Sequence, residues 1–298
     1  MSRLLRCAAV VLAIGSSVVV GAVGSFRVDA ARSVAGPVSS NPFRQARTLV
    51  IPHGGGDALF PENTIVAYVG SRAMGGEVID ADVQMSRDGV LVAFHDPTLE
   101  RTTNGTGRVD SKTLAELEKL DAGWAFTRRS KHPYRGKGIR IPTIEAILRR
   151  FPKMPVTLDV KDERTELVRP LCDVLIRLGR TADVYLGLDS SDQVIGMRNT
   201  CPGVRTSGTD DDRRAMRAAR ERSDAAFVPN MSVSQPRFRA DDGSIRITEA
   251  YLSYAHSKGI AVLTWVVDDP KDMRYLLDLG VDGIYTRRPD VLVKLRDG

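Results

Sequence analysis

A rhythm constrains this chain more than any single residue does: short apolar runs that read as strands alternate with longer amphipathic patterns that read as helices. The strand-like runs are TLVIPH (48–53), EVIDADV (77–83), PVTLDVK (155–161), DVYLGL (183–188), VRTSG (204–208), AAFVP (225–229), AVLTWV (261–266) and DGIYT (282–286). Between them lie patterns such as NTIVAYVGSRAMG, RTELVRPLCDVLIRLG, DDDRRAMRAARERS, TEAYLSYAHSKG and PKDMRYLLDLG, several opened by Asn, Asp or Thr and closed by Gly. Alternating β and α units imply a parallel sheet covered by helices. Eight such units in about 250 residues suit an α/β fold of the (β/α)8 TIM-barrel class, whose reactive groups sit at the C-terminal ends of the strands. The competing arrangement is the doubly wound open sheet, but the Gly-rich dinucleotide fingerprint of that fold is absent.

One segment breaks the rhythm. Residues 90–142 hold an extra apolar run, VLVAFHD, then a turn-rich loop and a short helical pattern, SKTLAELEKL, which together read as a hairpin, loop and helix inserted on the catalytic face. The join is Asp88-Gly89, a dipeptide that favours a two-residue hairpin turn. With that turn, opposed residues have numbers summing to 177, so Asp82 faces His95. Opposed residues of an antiparallel pair lie about 5 Å apart at Cα. Asp80, two positions earlier, points to the same face as Asp82.

Two carboxylates on one face repel and raise each other's pKa unless a cation lies between them. Hard divalent ions take oxygen ligands of this sort. Asp159, inside the apolar run PVTLDVK, carries a charge that is costly to bury unpaired. Lys161, two residues on, projects the same way and either neutralises a phosphate or pairs with Asp159.

The first residues read as an export signal. Arg3 and Arg6 precede an uncharged apolar run, and VDA offers small residues for cleavage before Ala31. The expected organisation is a signal peptide over 1–30, a linker over 31–46 and a catalytic domain over 47–298, with a secreted or extracytoplasmic location. An uncleaved apolar run is the one route to membrane contact. Cys7 precedes that run, so it does not suit lipid attachment. Loss of residues 1–30 removes Arg3, Arg6, Arg27 and Asp29, a net of two positive charges, so the formal charge falls from +6 to +4. The remaining basic residues are scattered and no nucleic-acid motif appears, which excludes that class of partner. Cys172 and Cys201 remain, and they form a disulfide only if the fold brings their Cα atoms within reach.

Taken in order, PENT, DADVQMSRDG, VLVAFHDPTLERTTNGTGRV, LAELEKLDAG, IPTIEAIL, TLDVK, TWVVDDP and LGVDGIYTRRPD give the chain a resemblance to the glycerophosphodiester phosphodiesterases, covering about residues 47–293. That resemblance implies a barrel with two catalytic histidines, His53 and His95, and a divalent metal ion, Ca2+ or Mg2+, held by Asp80, Asp82 and Asp159. It implies a small glycerophosphodiester as substrate, with sn-glycerol 3-phosphate and an alcohol as products. Glu62 matches the acid of the family's PEN segment and is expected to line the site.

Two departures stand out. The family usually has Glu where this chain has Asp80 and Asp159. Where it usually reads His-Arg-Gly, this chain reads His53-Gly54-Gly55, so the arginine that would grip the phosphate is missing. The backbone amides of Gly54 and Gly55 are the expected substitute, as an anion-binding nest; a tight turn without a ligand role is the alternative. Trp265, ending a strand, is expected either against the substrate glycerol or in the core. His132 reads as a solvated loop residue and His256 as structural. The missing arginine leaves open a weakly active or inactive binding barrel, and the apolar N-terminus a lipid-directed enzyme resembling sphingomyelinase D.

Overall fold

The computed structural model describes residues 41–298. The signal peptide expected over 1–30 and the linker residues up to 40 lie outside the described residues. Eight parallel strands alternate with helices as the sequence rhythm requires. They are β1 (Leu49–Pro52), β2 (Ile79–Met85), β4 (Val156–Val160), β5 (Val184–Leu188), β6 (Arg205–Thr206), β7 (Val233–Ser234), β8 (Ala261–Thr264) and β9 (Gly283–Thr286). The extra strand, β3 (Leu91–Ala93), runs antiparallel to the end of β2. The hydrogen-bonded ladders form two arcs, β1-β9-β8-β7 and β3-β2-β4-β5-β6. Between β1 and β2 a backbone bond from Glu77 to the Val50 carbonyl carries the connection in place of a ladder.

Helices α1 (Ile65–Ala73), α3 (Ile144–Arg150), α4 (Val168–Arg177), α5 (Ser191–Thr200), α6 (Asp210–Glu221), α7 (Glu249–Ser257), α8 (Pro270–Leu279) and α9 (Pro289–Asp297) follow the eight parallel strands. Their starts are chemically marked. Thr64, Thr143, Thr209, Thr248 and Asp269 each accept an amide hydrogen bond at a helix N-terminus. Proline occupies the first turn of α8 and α9, where its missing N–H costs nothing. No described helix is long and apolar enough to cross a membrane.

The inside of the barrel is filled by Phe43, Leu49, Ile51, Tyr185, Leu263 and Tyr285 with smaller neighbours. Phe43 lies within the expected linker, yet it is fully buried, and its ring meets Tyr185 edge-on at 6.1 Å. The packed domain therefore starts no later than Asn41, whose side chain donates to the Ser232 carbonyl. The insertion has its own small core of Phe94, Leu99, Val109, Leu117, Ile139 and Ile141. Its short helix, α2 (Leu114–Leu117), opens with a reciprocal cap between Thr113 and Glu116.

Two expectations fail locally. AAFVP (225–229) is not a strand, and Val228 in it is 83 % exposed; the seventh strand is the two-residue β7, farther on. The hairpin register is also one residue out. Observed partners are Val83 with Ala93 and Met85 with Leu91, and Phe94 donates to the Asp82 carbonyl, so Asp82 faces Phe94 and not His95. The loop holds three residues because Gly89, at φ 79°, adds a left-handed bulge after a turn closed by Gly89 N–H to the Ser86 carbonyl. Cys172 and Cys201 do pair, with Cα atoms 5.4 Å apart, tying α4 to the end of α5.

Candidate active site

At the C-terminal ends of the strands a pocket of about 550 Å³ opens, lined by His53, Asp80, Asp82, His95, Asp159 and Lys161 among others. Six of the residues singled out from the sequence thus converge. His53 directly follows β1 in a 3-10 turn, while Asp80 and Asp82 alternate along β2 and point into the same pocket. Asp159 and Lys161 lie at the end of β4, beside β2 in register. His95 comes two residues after β3, and its carbonyl accepts from Gln84 Nε2 at 3.2 Å, which keeps the loop over the pocket despite the shifted register.

Each imidazole is backed by a carboxylate. His53 Nδ1 lies 3.3 Å from Asp57 Oδ2, and His95 Nδ1 lies 2.7 Å from Asp96 Oδ1. A carboxylate only accepts, so Nδ1 carries the proton in both rings and Nε2 is left for chemistry. Burial alone would lower the His53 pKa, but the Asp57 hydrogen bond and the charges of Asp80, Asp57 and Asp82 outweigh it and raise it to about 9. The other oxygen of Asp57, Oδ1, is buried and has no hydrogen-bond partner among the described residues. Burial pushes Asp80 above the ordinary carboxylate range; the charge of His53 opposes the shift, while that of Asp82 adds to it.

The carboxylates are tightly held. Asp80 accepts from the Gly54 amide at 2.9 Å and from Thr157 Oγ1 at 2.8 Å. Asp82 accepts from Asn63 Nδ2 at 2.7 Å. Lys161 Nζ contacts Asp159 at 2.5 Å and lies 3.7 Å from Asp82. Burial would depress the Lys161 pKa, but Asp159 and then Asp82 hold it above the ordinary value. An oxygen-only donor set around concentrated negative charge suits a hard divalent ion in kind. In the arrangement seen, however, no three His, Cys, Asp or Glu side chains among the described residues are grouped to hold one, and the Lys161 ammonium is the cation between Asp82 and Asp159.

Three expected binding residues have other work. The Gly54 amide is spent on Asp80, so it is not free for a phosphate. Gly55 is required by packing: a Cβ there would meet Ala67 Cβ at 2.6 Å, and its φ is 87°. With Gly54 and Gly56 also left-handed, the triple glycine makes a tight turn seated on α1. Glu62 is clamped by Arg101 through two bonds of 2.7 and 2.6 Å and does not line the pocket. Arg101 also bonds Asp96 at 2.6 Å, and this bond, ahead of that from His95, holds the Asp96 pKa below the usual range. The clamp runs from Glu62 through Arg101 and Asp96 to His95. Arg101 reads from the sequence only as a residue that fixes its loop; a basic side chain on a polar loop carries no sign of its partners.

Trp265 lines the pocket, 38 % exposed, with Nε1 bonded to the Gln235 carbonyl and Arg237 over its ring at 5.1 Å. His132 is exposed and His256 is bound to Asp282, as expected of both. Sequence reasoning missed Asp57, Asp96 and Asn63. The first two stand within four residues of His53 or His95, and that spacing is the signal that was available.

The sequence signature of the glycerophosphoryl diester phosphodiesterase family matches residues 53–291. The chain belongs to that family. Among similar proteins, a glycerophosphodiester phosphodiesterase of Bacillus subtilis is 29 % identical over 85 % of this chain and 87 % of its own. A probable glycerophosphodiester phosphodiesterase 2 of Mycobacterium tuberculosis is 30 % identical over 78 % of this chain and 84 % of its own. The glycerophosphoryl diester phosphodiesterase domain of another M. tuberculosis protein superposes with a TM-score of 0.73 at 26 % identity, covering 84 % of this chain and 99 % of that domain. This family member is therefore a (β/α)8-class phosphodiesterase acting on glycerophosphodiesters.

Proposed function

We propose that His53 and His95 are the acid–base pair of a metal-assisted hydrolysis that yields sn-glycerol 3-phosphate and an alcohol. The observation that carries this reading is the pair of carboxylate-backed imidazoles in one pocket, with Nε2 of each free to exchange a proton. One ring takes a proton from the attacking hydroxyl and the other returns one to the leaving oxygen, a division of labour worth about 10² to 10⁴ in rate per proton transfer. Asp57 and Asp96 hold the rings in the required tautomer, while Arg101 fixes Asp96. Lys161 offers its charge to the phosphoryl oxygens.

Asp80, Asp82 and Asp159 would hold the divalent ion, Ca2+ or Mg2+, once Lys161 yields its place, and the ion would stabilise the charge that develops on phosphate. Trp265 packs at the mouth, where the organic part of the substrate lies. The replacement of the family arginine by Gly54 favours a second reading, a barrel of low activity, because the adjacent Arg101 is already committed to Glu62 and Asp96. The Cys172–Cys201 pair accords with an extracytoplasmic location reached through the N-terminal signal.

The test is alcohol release from a panel of glycerophosphodiesters, with and without added Ca2+ or Mg2+, beside His53→Ala and His95→Ala. Turnover that survives either substitution within a few-fold would remove that histidine from the chemistry. No turnover with any ion leaves the low-activity barrel.

A further inference from the structure

Away from the histidines the same pocket has a second wall of opposite charge. Helix α6 presents Arg213, Met216, Arg217 and Arg220 to it, at positions i, i+3, i+4 and i+7, one face of a helix. Arg246 joins them from the segment before α7. A helix packed on a barrel ordinarily turns an apolar stripe inward. This one keeps Met216 and Ala219 buried and sets guanidinium groups along the pocket edge.

The wall is only partly neutralised from within. Arg213 pairs with Asp210 at 2.7 Å. Arg220 lies over the Tyr251 ring at 5.3 Å, without an ion-pair partner among the described residues. The Arg217 and Arg246 side chains make no hydrogen bond or ion pair among the described residues. Guanidinium groups gathered in one cleft repel one another and raise the local concentration of anions. Tyr185 joins the two ends of the pocket, since its hydroxyl feels both Asp159 and Arg213.

A cationic head group is poorly served here. The aromatic faces at that end that could seat a quaternary ammonium are those of Tyr251 and Trp265, and guanidiniums, those of Arg220 and Arg237, already cover them. A phosphate on the leaving alcohol fits better, because guanidinium forks match its oxygens in pairs. The pocket volume of about 550 Å³ leaves room for a phosphorylated alcohol beyond the reacting diester. We infer that the α6 arginine wall is a head-group subsite selecting glycerophosphodiesters whose alcohol carries its own phosphate. The inference rests on the hydrolase reading above and names the substrate class for the same pocket.

The test compares kcat and KM on glycerophosphocholine and on the glycerophosphodiester of an inositol phosphate, for the full chain and for Arg217→Ala, Arg220→Ala and the double variant. The phosphorylated diester should be preferred at least about tenfold, and the double variant should cut that preference roughly ten- to a hundredfold through KM, the scale of charge-assisted hydrogen bonds. Inositol monophosphate titrated by calorimetry should bind the unaltered chain and lose its affinity in the double variant. Equal use of the two diesters, or variants that depress both alike, would overturn the subsite. If no diester is cleaved with any ion, the hydrolase reading fails, while calorimetry still decides whether the wall binds a phosphorylated polyol.

Discussion

The side of the barrel that carries the carboxylates and the side that carries the α6 arginines are built differently. Strands β2, β4 and β5 run five to seven residues each and bury continuous apolar faces against α3, α4 and α5. Strands β6 and β7 have two residues each, and the helix between them, α6, exposes most of its length. Long ladders hold side chains in fixed register, and β2 and β4 carry Asp80, Asp82 and Asp159, with Lys161 one residue beyond β4. The short strands leave the arginine wall on a helix and a loop, where side chains can change without disturbing the sheet. The contrast teaches that the carboxylates and the arginines of one pocket are carried by elements of unequal length and burial.

The sharpest way to break that comparison is to remove a histidine. His95→Ala and His53→Ala should each lower kcat by about 10² to 10⁴, and His95→Ala should do so with little change in melting temperature, because its ring is only partly buried. Next in size is metal removal: a chelator should suppress turnover by about 10² or more, the several kcal/mol of charge stabilisation an ion supplies, and added Ca2+ or Mg2+ should restore it. Activity unmoved by exhaustive chelation would remove the ion from the chemistry and leave the charge on phosphate to the cationic side chains of the pocket, Lys161 among them.

Stability sharpens the comparison further. Leu158→Ala on β4 removes a fully buried side chain and should cost about 2–5 kcal/mol in denaturant unfolding. Val233→Ala on β7 loses less volume and should cost about 1–2 kcal/mol. Equal costs would deny that the loss scales with the volume removed at these two buried positions. Reduction of the Cys172–Cys201 bridge, which spans 29 residues, should cost roughly 2–4 kcal/mol.

The smallest expected effect is on pH dependence. The folded-state pKa of His53 is raised from 6.5 to about 9, so its contribution to stability is complete below about pH 6.5 and is lost as pH rises through 9. Asp57→Asn should lower that pKa and flatten the fall in melting temperature between these values. An unchanged slope would show that the charges of Asp80 and Asp82, and not the Asp57 bond, hold His53 protonated.

Much of the fold was legible. Seven of the eight expected runs coincide with strands, because an apolar stretch flanked by turn residues has little choice once it is buried. The miss is instructive: AAFVP looks like a strand and Val228 ends up in solvent, while Val233–Ser234 is too short and too polar to announce itself. Asp80, Asp82, Asp159 and Lys161 were legible because side chains two apart on a strand share a face whatever the rest of the chain does. The register opposite Asp82 was not, since one left-handed glycine moves every partner by one residue.

By itself, then, the sequence determined the alternation of strand and helix, the residues that end the strands, and the pairs set by short spacing, all of which follow from backbone periodicity. Only the tertiary structure decided that the triple glycine packs on α1, that Arg101 reaches across 39 residues to Glu62, and that α6 turns arginines toward the pocket. Those outcomes depend on which surfaces meet after the chain has closed, and contact between distant segments leaves no period or spacing to read.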